Sequence, residues 1–145
     1  MKTMRVGYIG AGNISGQMAE TIARMGEVEN YAVAARDPER AREFAGRWGF
    51  SRAYGSYEEL LADPDVDLVY VALPHSHHHR WTIAALEAGH HVLCEKAFAA
   101  NERQAREMVE CARGRGLLLA EAIWTRYMPS RKMIDKIVSS GEIGE

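Results

Sequence analysis

Short apolar runs alternate along the chain with longer segments of helical period. The first run is Met4–Ile9 and the second covers residues 31–35. The stretch between them has the length of a helix and ends near Met25 and Gly26, where Gly26 suits a helix C-cap. Parallel strands joined by crossover helices on both faces of a sheet produce this alternation. The pattern therefore predicts an α/β fold.

Capping signals place the next helices. Asp37 precedes Pro38, so a helix is expected to begin there with a capping carboxylate and a proline in its first turn. Ser56 and Glu59 have the spacing of a capping box, in which Ser56 accepts from the Glu59 amide while Glu59 reaches back. This pair predicts a short helix that ends before Asp63.

The second half of the chain continues the alternation. Residues 67–73 are apolar without a two-residue period, as expected for a central strand covered on both faces. The further predicted elements are a helix after Pro74 that ends at Gly89, the strand His91–Cys94, a helix capped at Asn101, a strand over residues 117–120 and a helix over residues 129–139.

Six strands in this order fit a doubly wound parallel sheet, the Rossmann arrangement. The expected strand order is 3-2-1-4-5-6, with helices on both faces in three αβα layers. In such sheets a ligand binds outside the carboxyl ends of the strands, at the point where the strand order reverses. Here that crevice is expected after strands one and four.

Composition and charge narrow the class of protein. The 145 residues are 47% apolar and 26% charged, as in an ordinary soluble globular protein, and the formal charge is -2. We expect neither nucleic acid nor membrane as a partner, since this charge attracts no polyanion and no apolar stretch reaches the ~18 residues of a membrane span. Cys94 and Cys111 are expected to be reduced thiols in a cytoplasmic protein.

A glycine-rich turn follows the first strand and opens the first helix. Gly10 permits a tight turn, and Gly12 lacks the Cβ that would block a diphosphate at the helix N-terminus. Ser15 replaces the usual third glycine beside Gly16, and its small size still allows close approach of helix and strand. The alternative is a tight turn without a ligand. The predicted dinucleotide contacts in this turn are Gly10, Ala11, Gly12, Asn13 and Ile14.

The end of the second strand bears on which dinucleotide binds. An acidic residue about 20 positions beyond the glycines would accept from a ribose hydroxyl and select NAD. This chain instead has Arg36, whose guanidinium can neutralise a 2′-phosphate and lie against adenine. Asp37 stands one position late and serves as a helix cap. The sequence therefore favours NADP, with NAD as the alternative and a solvated Arg36 as the other interpretation.

Residues 74–79 contain four histidines, which raises the question of a metal. Adjacent side chains at a helix start point around its circumference, whereas metal ligands must converge, so we expect no metal site. His75 and His78 are predicted to line the cofactor crevice, beside Leu73 and Pro74. The alternative is a solvated helix start.

Glu95 and Lys96 end the fifth strand, at the same edge of the predicted sheet. A lysine there can hydrogen-bond a substrate hydroxyl or carbonyl and stabilise charge that develops during hydride transfer. Glu95 would then orient Lys96. The alternative is a surface ion pair.

Four segments together resemble the glucose-fructose oxidoreductase and inositol dehydrogenase family, also called Gfo/Idh/MocA. They are Gly10-x-Gly12, Pro74-His75-x-x-His78, residues 88–96 and Trp124–Tyr127. Residues 34–37, 54–60 and 121–126 most resemble the branch that contains the dimeric trans-1,2-dihydrobenzene-1,2-diol dehydrogenases, which are NADP-dependent.

The resemblance implies hydride transfer between nicotinamide and a hydroxyl-bearing carbon of a sugar, polyol or cyclic diol. It implies that Lys96 is catalytic and touches both the substrate oxygen and the nicotinamide ribose, that Arg126 lies near the cofactor, and that Trp124 lines the substrate pocket. Alternatively, Arg126 and Trp124 pack the join between domains. Ala97 replaces the family proline, whose preceding bond is often cis, and His75 replaces an asparagine.

Family members continue into a sheet domain that covers the nicotinamide and supplies a proton-transfer residue. We therefore expect residues 1–122 to be a dinucleotide-binding domain, and residues 123–145 to be a linker helix and the start of a truncated second domain. The chain would be the amino-terminal part of a longer, homo-oligomeric oxidoreductase, able to bind cofactor but inactive alone. A non-catalytic nucleotide-binding or regulatory module is the alternative.

Overall fold

In the computed structural model, which describes residues 3–144, strands and helices alternate along the chain. The strands are β1 (Met4–Ile9), β2 (Val28–Ala34), β3 (Arg52–Tyr54), β4 (Leu68–Val71), β5 (His91–Cys94) and β6 (Leu119–Glu121). The helices are α1 (Asn13–Ile22), α2 (Pro38–Trp48), α3 (Tyr57–Leu61), α4 (His75–Glu87), α5 (Glu102–Arg115) and α6 (Pro129–Ser140), with a 3₁₀ helix at Trp124–Tyr127.

The strands form one sheet in the order β3-β2-β1-β4-β5-β6, and every neighbouring pair is parallel. This confirms the predicted fold class and strand order. Across the middle of the sheet Tyr8 pairs with Tyr70, Tyr70 with Leu93 and Leu93 with Ala120. Because the strands are parallel, the turn after β1 and the segment after β5 emerge at the same edge.

Two apolar clusters hold the layers together. One contains buried residues of α3, α4 and α5, including Leu60, Leu86 and Met108. The other packs α1 and α2 against the opposite face, around Tyr8 and Tyr70. The helices therefore cover both faces of the sheet, which confirms the three-layer arrangement.

The end of α1 differs from the prediction. The helix stops at Ile22 with Ala23 as its C-cap, and Gly26 is not among the glycines with positive φ. The amide of Met25 instead donates to the Ile22 carbonyl at 2.8 Å, a turn-type bond that closes the helix end. The predicted glycine cap was wrong because this turn satisfies the terminal carbonyl without a left-handed residue.

The second and third strands were incompletely predicted. β2 begins at Val28 and includes Asn30, a buried polar residue that accepts from the Tyr8 hydroxyl at 2.6 Å and donates to the Ala19 carbonyl at 2.8 Å. β3 has three residues, and its pairing with β2 holds it. No apolar run in the sequence indicated its position.

The predicted caps are present, with one change of partner. Asp37 accepts from the Glu39 amide at 3.0 Å at the start of α2. Ser56 accepts from the Glu59 amide at 3.1 Å, but the Glu59 carboxylate accepts from the Gly55 amide at 3.1 Å rather than from Ser56. The reciprocal bond thus reaches one residue further back and also holds the turn before α3.

The last part of the chain extends from the sheet. Trp124 and Tyr127 are 62% and 81% exposed, and α6 has an exposed apolar face that includes Met133 and Val138. Within residues 3–144, the helices are too short or too polar to cross a membrane.

Candidate cofactor-binding site

The turn after β1 requires glycine at its first position. Gly10 has a φ of 109°, and a Cβ there would lie 2.6 Å from the Ala72 carbonyl oxygen. The Gly10 amide donates to the Ala34 carbonyl at 3.0 Å. Only a residue without a side chain fits between β1 and the end of β4, so the chain can turn tightly at the edge of the sheet.

Ser15 and Gly16 each allow α1 to pack closely against a neighbouring part of the fold. The Ser15 hydroxyl is buried and donates to the Gly10 carbonyl at 2.7 Å, which fastens α1 to the turn. A Cβ on Gly16 would lie 3.1 Å from the Trp48 ring, so Gly16 allows α1 to approach α2. Gly16 thus allows the contact between two helices, whereas Ser15 holds α1 against the turn that follows β1.

The amino end of α1 is open. Gly12 is its N-cap, makes no side-chain cap bond, and has no atom within 4 Å of the position of a Cβ. Asn13 and Ile14 follow on the exposed surface. The first amides of a helix lack intrahelical acceptors and carry the positive end of its dipole, so this end can bind an anion.

Arginines from α2 and its preceding turn face the glycine turn. Arg36 and Arg40 line a cavity of about 290 Å³ together with Gly10, Gly12 and Tyr57. Arg40 donates from Nε and Nη2 to the Ala11 carbonyl at 3.2 and 3.1 Å. Sequence analysis missed Arg40. Its partner Ala11 lies 29 residues earlier in the chain, so no spacing in the sequence indicated it.

Tyr57 is a second residue that sequence analysis missed. Its ring is buried against Trp81, and burial raises the pKa of its hydroxyl, while the neighbouring Arg36 and Arg40 act in the opposite direction. The Tyr57 hydroxyl therefore stays protonated beside two guanidinium groups. These three side chains form a positively charged, hydrogen-bonding corner.

A second cavity of about 430 Å³ adjoins this corner and extends to the start of α4. Leu73 and Pro74, which the sequence analysis placed in the cofactor crevice, line both cavities. His77 and Arg80 contribute from α4. The lining residues are Arg36, Gly55, Ser56, Tyr57, Glu58, Leu73, Pro74, His77, Arg80 and Trp81.

The structure corrects the prediction for His78. Its side chain is fully buried, with Nε2 2.7 Å from the Leu73 carbonyl oxygen and Nδ1 2.8 Å from the Ala97 carbonyl oxygen. Both ring nitrogens are engaged by the backbone, so His78 does not line the crevice. It ties the end of β4 to the segment after β5.

The other histidines of residues 74–79 have different surroundings. His75 is exposed with its ring 5.5 Å from that of His78, and His79 lies 2.8 Å from Glu107 of α5. Across residues 3–144, no three His, Cys, Asp or Glu side chains are placed to hold a metal ion.

Lys96 is exposed at the carboxyl edge of the sheet, and the Lys96–Ala97 peptide bond is cis, although alanine stands at the proline position. Glu95 is buried and accepts from the Tyr70 hydroxyl at 2.7 Å and from the Lys96 amide at 3.1 Å. Glu95 thus holds the backbone of Lys96, whereas we expected it to orient the side chain.

Cys94 precedes this segment. Burial raises the pKa of its thiol to about 11, so the group stays protonated and is not a nucleophile at neutral pH. Cys94 and Cys111 are both free thiols.

Trp124 and Arg126 lie on the exposed 3₁₀ helix. Trp124 lines a third cavity, of about 480 Å³, which also borders Ile14, Glu95 and Glu121. Arg126 is exposed and does not line this cavity. The proximity of Trp124 to Glu95 is compatible with a substrate contact.

Known proteins similar to this chain are oxidoreductases. Residues 4–122 match the model of the Gfo/Idh/MocA family, described as an oxidoreductase family with an NAD-binding Rossmann fold. A D-xylose 1-dehydrogenase (NADP(+)) from Hypocrea jecorina is 53% identical over 120 residues, which are 80% of this chain and 31% of that protein. Trans-1,2-dihydrobenzene-1,2-diol dehydrogenase from Bos taurus is 43% identical over 145 residues, 98% of this chain and 43% of that enzyme.

Solved structures give the same result. A 3-ketoreductase from Actinomadura kijaniata in complex with NADP superposes with a TM-score of 0.93 at 36% identity, over 99% of this chain and 46% of that one. The chain thus spans less than half the length of each of these relatives. The glycine turn, the parallel sheet and the match over residues 4–122 together show that the chain belongs to the Gfo/Idh/MocA family of oxidoreductases.

Proposed function

We propose that this chain is the NADP-binding domain of an oxidoreductase that acts on a hydroxyl-bearing carbon of a sugar, polyol or cyclic diol. The observation that carries the proposal is the open helix end at Gly12, which shares a cavity with Arg36 and Arg40. The names of the relatives support the substrate class, since they include a D-xylose dehydrogenase and a dihydrodiol dehydrogenase.

The residues around the glycine turn suit a dinucleotide. A Cβ at Gly12 would stand in open space, so the amides at the start of α1 are free to approach a diphosphate. The 2′-phosphate is assigned to Arg36, Arg40 and Tyr57, because two guanidinium groups and a protonated hydroxyl offer charge-assisted hydrogen bonds to its oxygens. Leu73 and Pro74 border the same crevice and complete the assigned contacts.

Lys96 is the assigned catalytic residue. When bound, the nicotinamide supplies or takes the hydride. The exposed ammonium of Lys96 donates a hydrogen bond to the reacting oxygen of the substrate and stabilises negative charge there. A module that only bound nucleotide would not need a lysine at this edge, which favours the dehydrogenase over the regulatory alternative. Arg126 and Trp124 stay assigned by resemblance, and His75 by its position after β4.

The larger assembly is part of the proposal. Residues 1–122 form the cofactor domain, and residues 123–145 lead into a second domain that covers the nicotinamide. The whole oxidoreductase is assigned to the cytoplasm as a homo-oligomer. The chain alone binds cofactor but turns over little substrate, because an open crevice leaves water around the reacting carbon.

Arg36→Ala tests the cofactor assignment. We expect NADPH affinity to fall about 30-fold or more, because a charge-assisted contact with the 2′-phosphate is worth roughly 2 kcal/mol. NADH affinity should change by less than about threefold, since NADH has no phosphate at this position. Fluorescence titration of the purified chain with each nucleotide measures both constants.

Arg42→Ala is the matched control for this substitution. Arg42 is an exposed arginine of α2 that pairs with Glu39 and does not line the cavity, so its loss should leave both affinities unchanged. If the unmodified chain binds NADH more tightly than NADPH, or if both arginine variants lose NADPH equally, the assignment of Arg36 is wrong. Failure of both nucleotides to bind would contradict the proposed function itself.

A further inference from the structure

The backbone around Lys96 is held by side chains from three directions. The Lys96 amide donates to Glu95 at 3.1 Å, the Ala97 carbonyl oxygen lies 2.8 Å from His78 Nδ1, and the Phe98 amide donates to Glu121 at 3.0 Å. Residues 95–101 lie outside helices and strands. The position of Lys96 therefore depends on buried and half-buried side chains rather than on a regular ladder of backbone bonds.

The Glu95 carboxylate is itself held in place by Tyr70. Its Oε1 accepts from the Tyr70 hydroxyl at 2.7 Å, and its Oε2 accepts from the Lys96 amide. Glu95 is 8% exposed and Tyr70 is 1% exposed, so water does not compete strongly for either group. Burial and the adjacent Glu95 carboxylate raise the pKa of Tyr70 far above its usual range, which keeps the hydroxyl a donor.

The Tyr70 ring sits on a rigid support. It lies in β4 at the centre of the sheet and packs edge-on against Tyr8, with ring centroids 5.3 Å apart. Tyr8 is equally buried, and its own hydroxyl donates to Asn30 at 2.6 Å, away from Glu95. Both tyrosines belong to the same apolar cluster, but the Tyr70 hydroxyl donates to Glu95 whereas the Tyr8 hydroxyl donates to Asn30.

We propose that Tyr70 is a positioning residue for Lys96, which acts by fixing the Glu95 carboxylate that binds the Lys96 amide. The proposal rests on the proposed function only for the use of Lys96. The hydrogen-bonded chain from Tyr70 to the Lys96 backbone is a property of the cofactor domain itself. A sheet residue in β4 thereby sets the geometry of a catalytic group that follows β5.

Tyr70→Phe removes the hydroxyl and leaves the ring. Once Glu95 loses this donor, the carboxylate can rotate, and we expect the Lys96 amide to exchange with solvent about five- to tenfold faster than in the unmodified chain. The backbone amide resonance of Lys96 should also move. Two-dimensional NMR of the isotopically labelled chain measures both, and Lys96→Arg identifies the resonance.

Tyr8→Phe is the matched control. It removes a buried hydroxyl from the neighbouring ring, so it should lower the melting temperature in a similar way but leave the Lys96 amide unchanged. An unchanged Lys96 amide in Tyr70→Phe, or an equal change in both variants, would overturn the proposal. If Tyr70→Phe does not fold, Glu95→Ala replaces it: it removes the carboxylate that links Tyr70 to the Lys96 amide, so the same faster exchange is expected, and an unchanged Lys96 amide would contradict the proposal.

A double-mutant cycle tests the link to binding. Tyr70→Phe should weaken NADPH binding about fivefold in the unmodified chain and have no further effect in Lys96→Ala. An equal loss in both backgrounds would show that Tyr70 does not act through Lys96. If the unmodified chain binds no nucleotide, the proposed function fails, whereas the amide exchange still decides the role of Tyr70.

Discussion

Gly12→Asp is expected to abolish NADPH binding, with a loss of affinity of more than about 100-fold, because a carboxylate at the helix end repels and displaces the diphosphate. Stability without ligand should not fall. Gly12 is the N-cap of α1 and a side chain there meets open space, while aspartate is a preferred N-cap residue. Titration with NADPH and thermal melting of the unliganded chain measure the two effects.

A second aspartate variant distinguishes an effect at the glycine turn from a general effect of the added negative charge. Gly26 also has open space around its Cβ position and lacks a positive φ, and it precedes β2 at the opposite edge of the sheet. Gly26→Asp adds the same charge and should leave NADPH affinity unchanged within about twofold, since the Debye length of ~8 Å screens distant charges. Equal binding by Gly12→Asp and the unmodified chain would exclude the helix end as the diphosphate site.

Gly10→Ala should be the most destabilising of the substitutions considered, with a loss of at least about 3 kcal/mol in the free energy of unfolding. The new Cβ would lie 2.6 Å from the Ala72 carbonyl oxygen, and the backbone at φ 109° strains any residue with a side chain. For a chain of this size that loss lowers the melting temperature by roughly 6–12 °C. Calorimetry or circular dichroism of the unliganded chain measures the shift.

Gly49→Ala provides the comparison. Gly49 caps α2 with a φ of 72° but has no atom within 4 Å of the Cβ position, so alanine there pays only the left-handed strain of ~1–2 kcal/mol. The difference in the free energy of unfolding between the two variants measures the cost of the contact with the Ala72 carbonyl oxygen, just after β4. Equal melting temperatures would mean that the contact with the Ala72 carbonyl oxygen adds no cost beyond the left-handed strain that both variants share.

The regular elements could be predicted because their causes are local. Asp37 caps α2 through the amide two residues later, and Ser56 caps α3 through the amide three residues later. The second part of the run Met4–Ile9, from Val6 on, is buried because both faces of the sheet are covered there. β3 escaped prediction, since its three residues gain their conformation from pairing with β2 and not from a pattern of their own.

The residues of the site also divide into those that local sequence order locates and those that depend on distant contacts. The glycine turn and Arg36 could be located from their order along the chain, because a strand, a turn and a helix are consecutive. His78 was given the wrong role: its ring binds the carbonyl of Ala97, which lies 19 residues away. The contact of Arg40 with Ala11 spans 29 residues, so spacing on one helix cannot show it.

By itself, the sequence determined the α/β alternation, the strand order, the glycine turn after β1 and the edge at which Lys96 emerges. Only the tertiary structure decided which side chains hold that edge together, among them Tyr70 on Glu95, 25 residues apart. The physical reason is range: caps, turns and apolar periods act between residues a few positions apart, whereas a buried hydrogen bond between strands exists only after the sheet has brought its partners within about 3 Å.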